Sequence, residues 1–451
     1  MEKNWTTGSV FKGIVGFSLP YLLSFFLQTL YGMADLFIIG QFEKAVSDTT
    51  SVAIGSQVMH MLTVMIVGLA MGTTVCVGQA VGANNKKRAS ADIGNTVTLF
   101  MLLSVVTASL LVLLVDPIVK VMSTPSEAVE GTRIYLIICF VGIPFITAYN
   151  IISSIFRGLG DSKSPMYFIA VACVANIALD YLFMGAFEMG PAGAALGTTL
   201  SQALSVVISL AVIFKKKLIS VEKDDFKPQR KIMSKLLKIG VPVSLQDGFI
   251  QISFIFITVI ANRRGLVDST AVGIVEKIIG FLFLVPSAML STVSALGAQN
   301  IGAGKKERAV QTLKYACLIT SCYGAVIVAL VAFFAEPLVG LFTKDAAVVA
   351  SGGQYLRGYV WDAFFAGIQF SFSGYFCAVG KSQLSFLHNT ISILTARVPG
   401  AYLTSKYFPN TLLPMGLSSA AGSLISIIVC LTAFFFLSKK ENKEAREALY
   451  G

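Results

Sequence analysis

Apolar runs of about 20 residues recur twelve times along this chain, the length an α-helix needs to cross a hydrocarbon layer about 30 Å thick. They fall at 14–40, 52–80, 93–115, 132–156, 165–187, 190–214, 236–262, 270–298, 311–334, 353–379, 383–405 and 412–437. Over the 451 residues 55% are hydrophobic and 13% charged, against roughly 45–50% and about 25% in a soluble domain. A soluble enzyme is excluded on that ground. Only a helical membrane protein with many crossings fits. The net charge of +11 points to no nucleic-acid partner, because the cations lie in loops between the apolar runs.

Where those cations lie sets the topology. With both ends cytoplasmic, the outside loops hold only Lys44, Lys120, Arg263, Arg264, Lys344 and Lys406, while most of the other Lys and Arg fall inside. An excess of that sign predicts this orientation in a prokaryotic plasma membrane. The first run has no small-residue cleavage site behind a short apolar region, so it reads as a retained span. The longest inside loop holds a dense basic stretch from Lys215 to Lys238, read as an anchor on anionic lipid.

That stretch also separates two related halves. GQAVGANNKKRA at 78–89 returns as GAQNIGAGKKERA at 297–309, so that Gln79, Gly82, Ala83, Lys86, Arg88 and Ala89 recur 220 residues later. The offset persists: Asp116-Pro117 returns as Glu336-Pro337, Tyr135-Leu136 as Tyr355-Leu356, and Gly158-Leu159-Gly160-Asp161-Ser162 as Ala378-Val379-Gly380-Lys381-Ser382. Four matches in register are a duplication. The expected organisation is an N-terminal six-helix lobe (1–214), a basic linker (215–235), a C-terminal six-helix lobe (236–437) and a cytoplasmic tail (438–451). Each copy has an even number of spans, so both enter the membrane the same way and are related by an axis along its normal. That symmetry suits alternating access, and neither a channel nor a membrane enzyme requires it.

At this point the chain resembles the MATE family, the multidrug and toxic compound extrusion transporters. The resemblance covers essentially the whole sequence. It rests on the two copies of six spans, the Q-x-x-G-A-x-x-K-x-R-A signature after the second and eighth, Pro20 fifteen residues before Asp35, Asn176 with Asp180 in the fifth span, and GPAGAALGT at 190–198. It implies a V-shaped bundle that expels organic cations in exchange for H⁺ or Na⁺. The alternative it carries is a flippase for a lipid-linked saccharide, from the wider superfamily. A monomer among membrane lipids, with no cofactor beyond the coupling ion, is expected. No H-E-x-x-H, G-x-S-x-G or paired-Asp motif lies within a span, so no enzymatic activity is expected.

Ionisable residues inside a span are costly and default to functional candidates. Counted at about 1.5 Å per residue, Asp35 and Asp180 lie at similar depth in the outer half. Ser24, Gln28, Tyr31 and Asp35 share one face of the first span, Asn176 and Asp180 one face of the fifth, and Asn150, Ser153, Ser154 and Arg157 form a stripe on the fourth. The Ser and Asn positions, taken singly, read as interhelical hydrogen-bond glue. Near the two Asp residues only Arg133 is a candidate cation, and it sits at the outer edge. Two carboxylates without a built-in cation are expected to take up a proton or a metal ion and to titrate as a unit. Oxygen ligands from Asp35, Asn176, Asp180 and a Thr hydroxyl suit Na⁺.

The resemblance implies that Asp35, Asn176, Asp180 and Thr198 form the ion and proton site. It further implies that Gln28, Tyr31, Tyr135 and Asn150 form its polar surround, and that Pro20 is the proline associated with bending of the first span. A proline permits a kink on local grounds as well. In the second half, Glu276, Lys277, Asp362 and Arg397 sum to zero charge. Asp362 and Arg397 are expected to form a structural or gating ion pair, or Asp362 and Glu276 to contact substrate. Some members carry acidic residues in the seventh and tenth spans. Here the seventh-span position falls near Ile250, between Asp247 and Gln251, and Ala366 stands one turn after Asp362. That departure favours coupling through the first half. His60 and His388 read as satisfied core residues, and the seven cysteines as small buried hydrophobes. Some of the 33 Phe and 14 Met are expected to line a cleft suited to varied cations.

Overall fold

The computed structural model describes residues 4–42, 46–216 and 221–450, without the side chains of Lys216 and residues 440–450. Lys44, Lys217 and the tail's side chains beyond residue 439 therefore lie outside the described residues. The described residues form helices α1 (Val10–Phe42), α2 (Val46–Gly82), α3 (Lys86–Leu113), α4 (Val115–Val121), α5 (Val129–Val141), α6 (Ile143–Gly158), α7 (Lys163–Asp180) and α8 (Gly190–Lys216). The second half gives α9 (Arg230–Asn262), α10 (Leu266–Leu282), α11 (Leu284–Gly302), α12 (Lys306–Gly340), α13 (Ala346–Ala378), α14 (Ser382–Ser392), α15 (Val398–Tyr407) and α16 (Leu413–Tyr450). There is no strand among them. In lipid a backbone must satisfy its own hydrogen bonds, so apolar runs of this length fold as helices.

Every expected span coincides with one helix or with successive helical pieces. By length and apolarity alone, nine stretches qualify among the described residues, and ten if α5 and α6, bent by 48°, count as one. The bend falls at Gly142-Ile143-Pro144, where Pro144 has no N–H for the carbonyl of Phe140 and its ring crowds that oxygen. The two segments that fall short have physical reasons for it. Of the 33 residues of α13, 21 are buried, and a helix enclosed by others needs less apolar surface. The stretch from α14 through the π-helical turn at Ile393–Arg397 to α15 buries Ser382, Ser385, His388, Asn389, Ser392 and Arg397, so its polar content holds its apolarity down. By contrast α1, α9 and α12 run unbroken through Pro20, Pro242 and Pro337.

Two compact units emerge. The first comprises the residues up to Ser244 together with Ala298–Lys306, and the second Leu245–Gly297 with the residues from Glu307 onward. The basic stretch, where described, is docked on the first unit. Asn95 of α3 donates to the carbonyl of Asp225 (3.0 Å) and accepts from the amide of Gln229 (2.7 Å), and Thr98 donates to the carbonyl of Phe226 (2.8 Å). The core of the first unit gathers Ile38, Val52, Tyr135, Leu136, Phe140 and Ala195, and that of the second Val275, Val331, Tyr355, Leu356, Tyr359 and Met415.

The duplication is legible in these contacts. Tyr135-Leu136 and Tyr355-Leu356 are buried in their respective cores. Asp116 pairs with Arg133 at 2.9 Å, and Glu336 with Arg357 at 3.0 Å. Within the apolar part of each span, α2 and α10–α11 are 56% buried, whereas α3 and α12 are only 22% and 17% buried. The second span is therefore among the enclosed ones in each half, and the third is the more peripheral. Phe333 on α12 is 79% exposed, as suits a helix face turned to hydrocarbon.

The signature glycines meet reciprocally inside the first unit. A Cβ on Gly82 would collide with the carbonyl oxygen of Gln299, and one on Gly302 with that of Gln79. Small residues let membrane helices approach this closely. Gly82→Ala and Gly302→Ala should therefore destabilise the protein alike, each by about 1–3 kcal/mol as overpacking does, read as matched drops in thermal-unfolding midpoint. Unequal drops would contradict the reciprocity of the contact.

Candidate functional site

Three helices of the first unit converge on one buried cluster of oxygens. Asp35 of α1 is 3% exposed, Asp180 at the end of α7 is 0% exposed, and Asn176 one turn earlier shares its face. Thr198 of α8 donates to Asp35 Oδ2 at 2.8 Å, and Asn176 Nδ2 lies 3.4 Å from Asp180 Oδ1. The two carboxyl groups are within hydrogen-bonding reach of each other. Tyr31, one turn before Asp35, donates to the carbonyl of Thr198 at 3.0 Å, and its hydroxyl lies 3.1 Å from Ser201 Oγ, which ties α1 to α8. Tyr135 lies against Gly55, its hydroxyl 3.2 Å from Ser56 Oγ.

Asp35 Oδ1, Asp180 Oδ2 and Asn176 Oδ1 are buried without a hydrogen-bond partner. Among the described residues neither carboxyl makes an ion pair, and Arg133 is engaged elsewhere, 2.9 Å from Asp116 and 3.9 Å from Glu130. Both carboxylates cannot remain ionised there cheaply. A proton shared between them, or a cation bound among the three bare oxygens, relieves the charge. The oxygen donors suit a hard monovalent ion.

Two features of this cluster were not singled out from the sequence. Gly197 is the first: a Cβ there would collide with Asp180 Oδ1, so the glycine is what lets α8 reach α7 at the carboxylate. Its signal lay in the glycine-rich run GPAGAALGT. Gly197→Ala is expected to displace the Asp180 side chain and cost about 1–3 kcal/mol. Transport should fall with it, and unchanged transport in a stably folded variant would mean that the position of Asp180 is immaterial. The second feature is a π-helical turn at Tyr181–Ala186, directly after Asp180. Such turns concentrate at functional sites, and here local sequence carries no mark of it.

The other expected members lie elsewhere. Gln28 and Asn150 line a cavity of about 20 Å³ with Tyr21, Ser24, Ser153 and Arg157. The amide of Asn150 is spent on the carbonyl of Ile146 at 2.8 Å. In the second unit, Arg397 Nη2 donates to both oxygens of Asp362 at 2.9 Å, and the side chains are 6% and 0% exposed. Ser423 donates to the same carboxylate and Gln369 donates to Ser423 at 3.0 Å, closing a buried network. Glu276 accepts from Thr258 at 3.1 Å, while the neighbouring Lys277 is exposed. Asp247 and Gln251 are half-buried on α9. His388 is a satisfied core residue, 2.8 Å from Ser373 Oγ and 3.2 Å from Ser426 Oγ. His60, however, is exposed on α2, because its face of the helix turns away from the packed interior. All seven cysteines are free, but Cys322 is exposed and Cys317 half-buried on the peripheral α12.

Comparison with known proteins identifies the fold. A family model described as MatE matches residues 20–182 and again 242–403. The chain belongs to the MATE family. The two matches fall one in each half, so this chain carries the family's unit twice, and the family is one of transporters and not of enzymes. The probable multidrug resistance protein YpnP of Bacillus subtilis is 30% identical over 417 residues, covering 92% of this chain and 93% of that protein. The probable multidrug resistance protein NorM of Thermotoga maritima is 27% identical over 447 residues, covering 96% and 94%. A crystal structure of MATE in complex with MaL6 superposes with a TM-score of 0.90 at 22% identity, over 97% of this chain and 99% of that one. An outward-facing multidrug resistance MATE transporter of the MOP superfamily gives 0.90 at 23%, over 97% and 98%. The likeness to those structures is one of fold. This MATE chain is thus an all-helical, multi-pass membrane transporter.

Proposed function

We propose that this MATE transporter exports small organic compounds, chiefly amphipathic cations, in exchange for H⁺ or Na⁺ loaded at Asp35 and Asp180. The observation that carries the reading is the pair of buried carboxyls within reach of each other, with three unpartnered oxygens and, among the described residues, no cation paired to them. The multidrug resistance proteins it resembles support small-molecule efflux. In the cycle, the outward-open state loads the ion, which neutralises the pair and weakens its hold on a cationic substrate. Ion and substrate compete for one charge, and that competition is antiport by linkage. Thr198 and Asn176 orient the carboxyls, and Tyr31 holds α1 to α8 around them.

In this reading the chain crosses the membrane twelve times in two six-helix lobes, as a monomer with both ends in the cytoplasm of a prokaryotic cell. A flippase for a lipid-linked saccharide would need a cluster of cations for the diphosphate, whereas the cavity in the first unit presents the single guanidinium of Arg157 among hydroxyls and amides. The test is efflux of a fluorescent organic cation from proteoliposomes under separately imposed Na⁺ and H⁺ gradients. Efflux driven by one gradient identifies the coupling ion. Efflux indifferent to both gradients would overturn the antiport reading.

A further inference from the structure

The cavity of the first unit holds a charge that the coupling site does not use. Arg157, near the end of α6, is 5% exposed, and among the described residues it makes no ion pair. Its Nη2 donates to Ser154 at 2.5 Å and its guanidinium carbon stands 5.2 Å from the centre of the Tyr21 ring. Its Nε has no hydrogen-bond partner, and neither has the buried hydroxyl of Ser153 one turn earlier, which lines the same cavity. A guanidinium cannot shed its proton to escape burial, so an unpaired one beside a cavity is a standing demand for an anion. The opening of about 20 Å³ has room for a head the size of one water or one small planar group.

We infer that Arg157, with Ser153 and the ring of Tyr21, forms an anion subsite that receives the carboxylate of aromatic, zwitterionic substrates. The inference rests on the efflux reading above and narrows its substrate class. The flat fork of an arginine matches the two in-plane oxygens of a carboxylate. Tyr21 and Phe25, in edge-to-face contact at 4.9 Å, both line the cavity and offer an aromatic wall for the body that bears the carboxylate. Along α1, Tyr21 precedes Asp35 by fourteen residues, about 21 Å of helix. One helix therefore carries the wall of a cationic subsite toward one end and the acidic pair toward the other.

The experiment uses the purified full-length protein and a matched pair of xanthene dyes, one with a free carboxylate and the other its ethyl ester, with binding followed by fluorescence polarisation. Arg157→Gln should weaken the acid about tenfold or more, the loss expected for a hydrogen bond to a charged group, and leave the ester within about twofold. Arg157→Lys should fall between, because it keeps the charge and loses the fork. Ser153→Ala, a smaller change that leaves the fold intact if Arg157→Gln does not, should weaken only the acid, about threefold. Equal weakening of both dyes, or of neither, would overturn the subsite while leaving the efflux reading in place. Displacement of the acid from wild type by an anionic phospholipid in mixed micelles would assign the anion to a lipid phosphate and overturn the carboxylate assignment. If neither dye binds wild type, the efflux reading falls and the subsite with it.

Discussion

Asparagine in place of Asp35 or of Asp180 is expected to leave a folded, substrate-binding protein that no longer exchanges its cargo against an ion gradient. Each carboxyl is buried, and each is within hydrogen-bonding reach of the other. Removing one therefore removes the like-charge conflict that makes the pair take up an ion. Gradient-driven efflux should drop about 100-fold, near the upper end of ordinary coupling energies. The double variant should be no worse than either single one, because the two groups act as one titrating unit. The thermal-unfolding midpoint should hold or rise, since a neutral isostere takes the place of a buried charge with no cation beside it. Proteoliposome efflux and thermal unfolding, run on the three variants, check each part. Full efflux in both single variants would move coupling to Glu276 and Asp247 of the second unit.

The largest loss of stability is expected at Asp362 and Arg397. Both oxygens of the carboxylate accept from one guanidinium nitrogen, Ser423 bonds to both partners, and the site is almost closed to solvent and lipid. Asp362→Asn or Arg397→Met should each cost about 3–5 kcal/mol, because each strands an uncompensated buried charge. The double variant Asp362→Leu with Arg397→Met should recover most of that loss, since well-packed apolar residues replace a buried ion pair at little cost. Unfolding of the four proteins in one detergent closes a double-mutant cycle. Single variants as stable as wild type would mean that the pair holds nothing together. A rigid, fully bonded pair is a poor ion carrier, which agrees with placing the exchange at Asp35 and Asp180, where three oxygens are left bare.

The contrast between these two sites indicates what was readable from residues alone. For Asp35 and Asp180 the i, i+4 spacing of Asn176 and Asp180, and a count of residues from the span ends, place both carboxyls at one depth. For Asp362 and Arg397 the same count allows a pair and leaves substrate contact open, and the 2.9 Å separation shows the pair. Arg157 had a sequence signal too, the Asn150, Ser153, Ser154 and Arg157 stripe. Its meaning was hidden, because whether a guanidinium has a counter-ion depends on side chains from other helices.

By itself, then, the sequence determined the helices, the duplication and which residues share a face. It could do so because a membrane imposes both the length of a span and the internal pairing of its backbone, and these are properties of one helix at a time. It placed Tyr135-Leu136 and Tyr355-Leu356 in equivalent positions, and both pairs are buried in the cores of their units. Tertiary structure alone decided the π-helical turns beside Asp180 and Arg397, the reciprocal approach of Gly82 and Gly302, the exposure of His60, and the isolation of Arg157. The physical reason is that each of these depends on which helix faces which. In lipid that choice is made by close packing of small residues and by the pairing of scattered polar groups, and neither leaves a periodic trace in the chain.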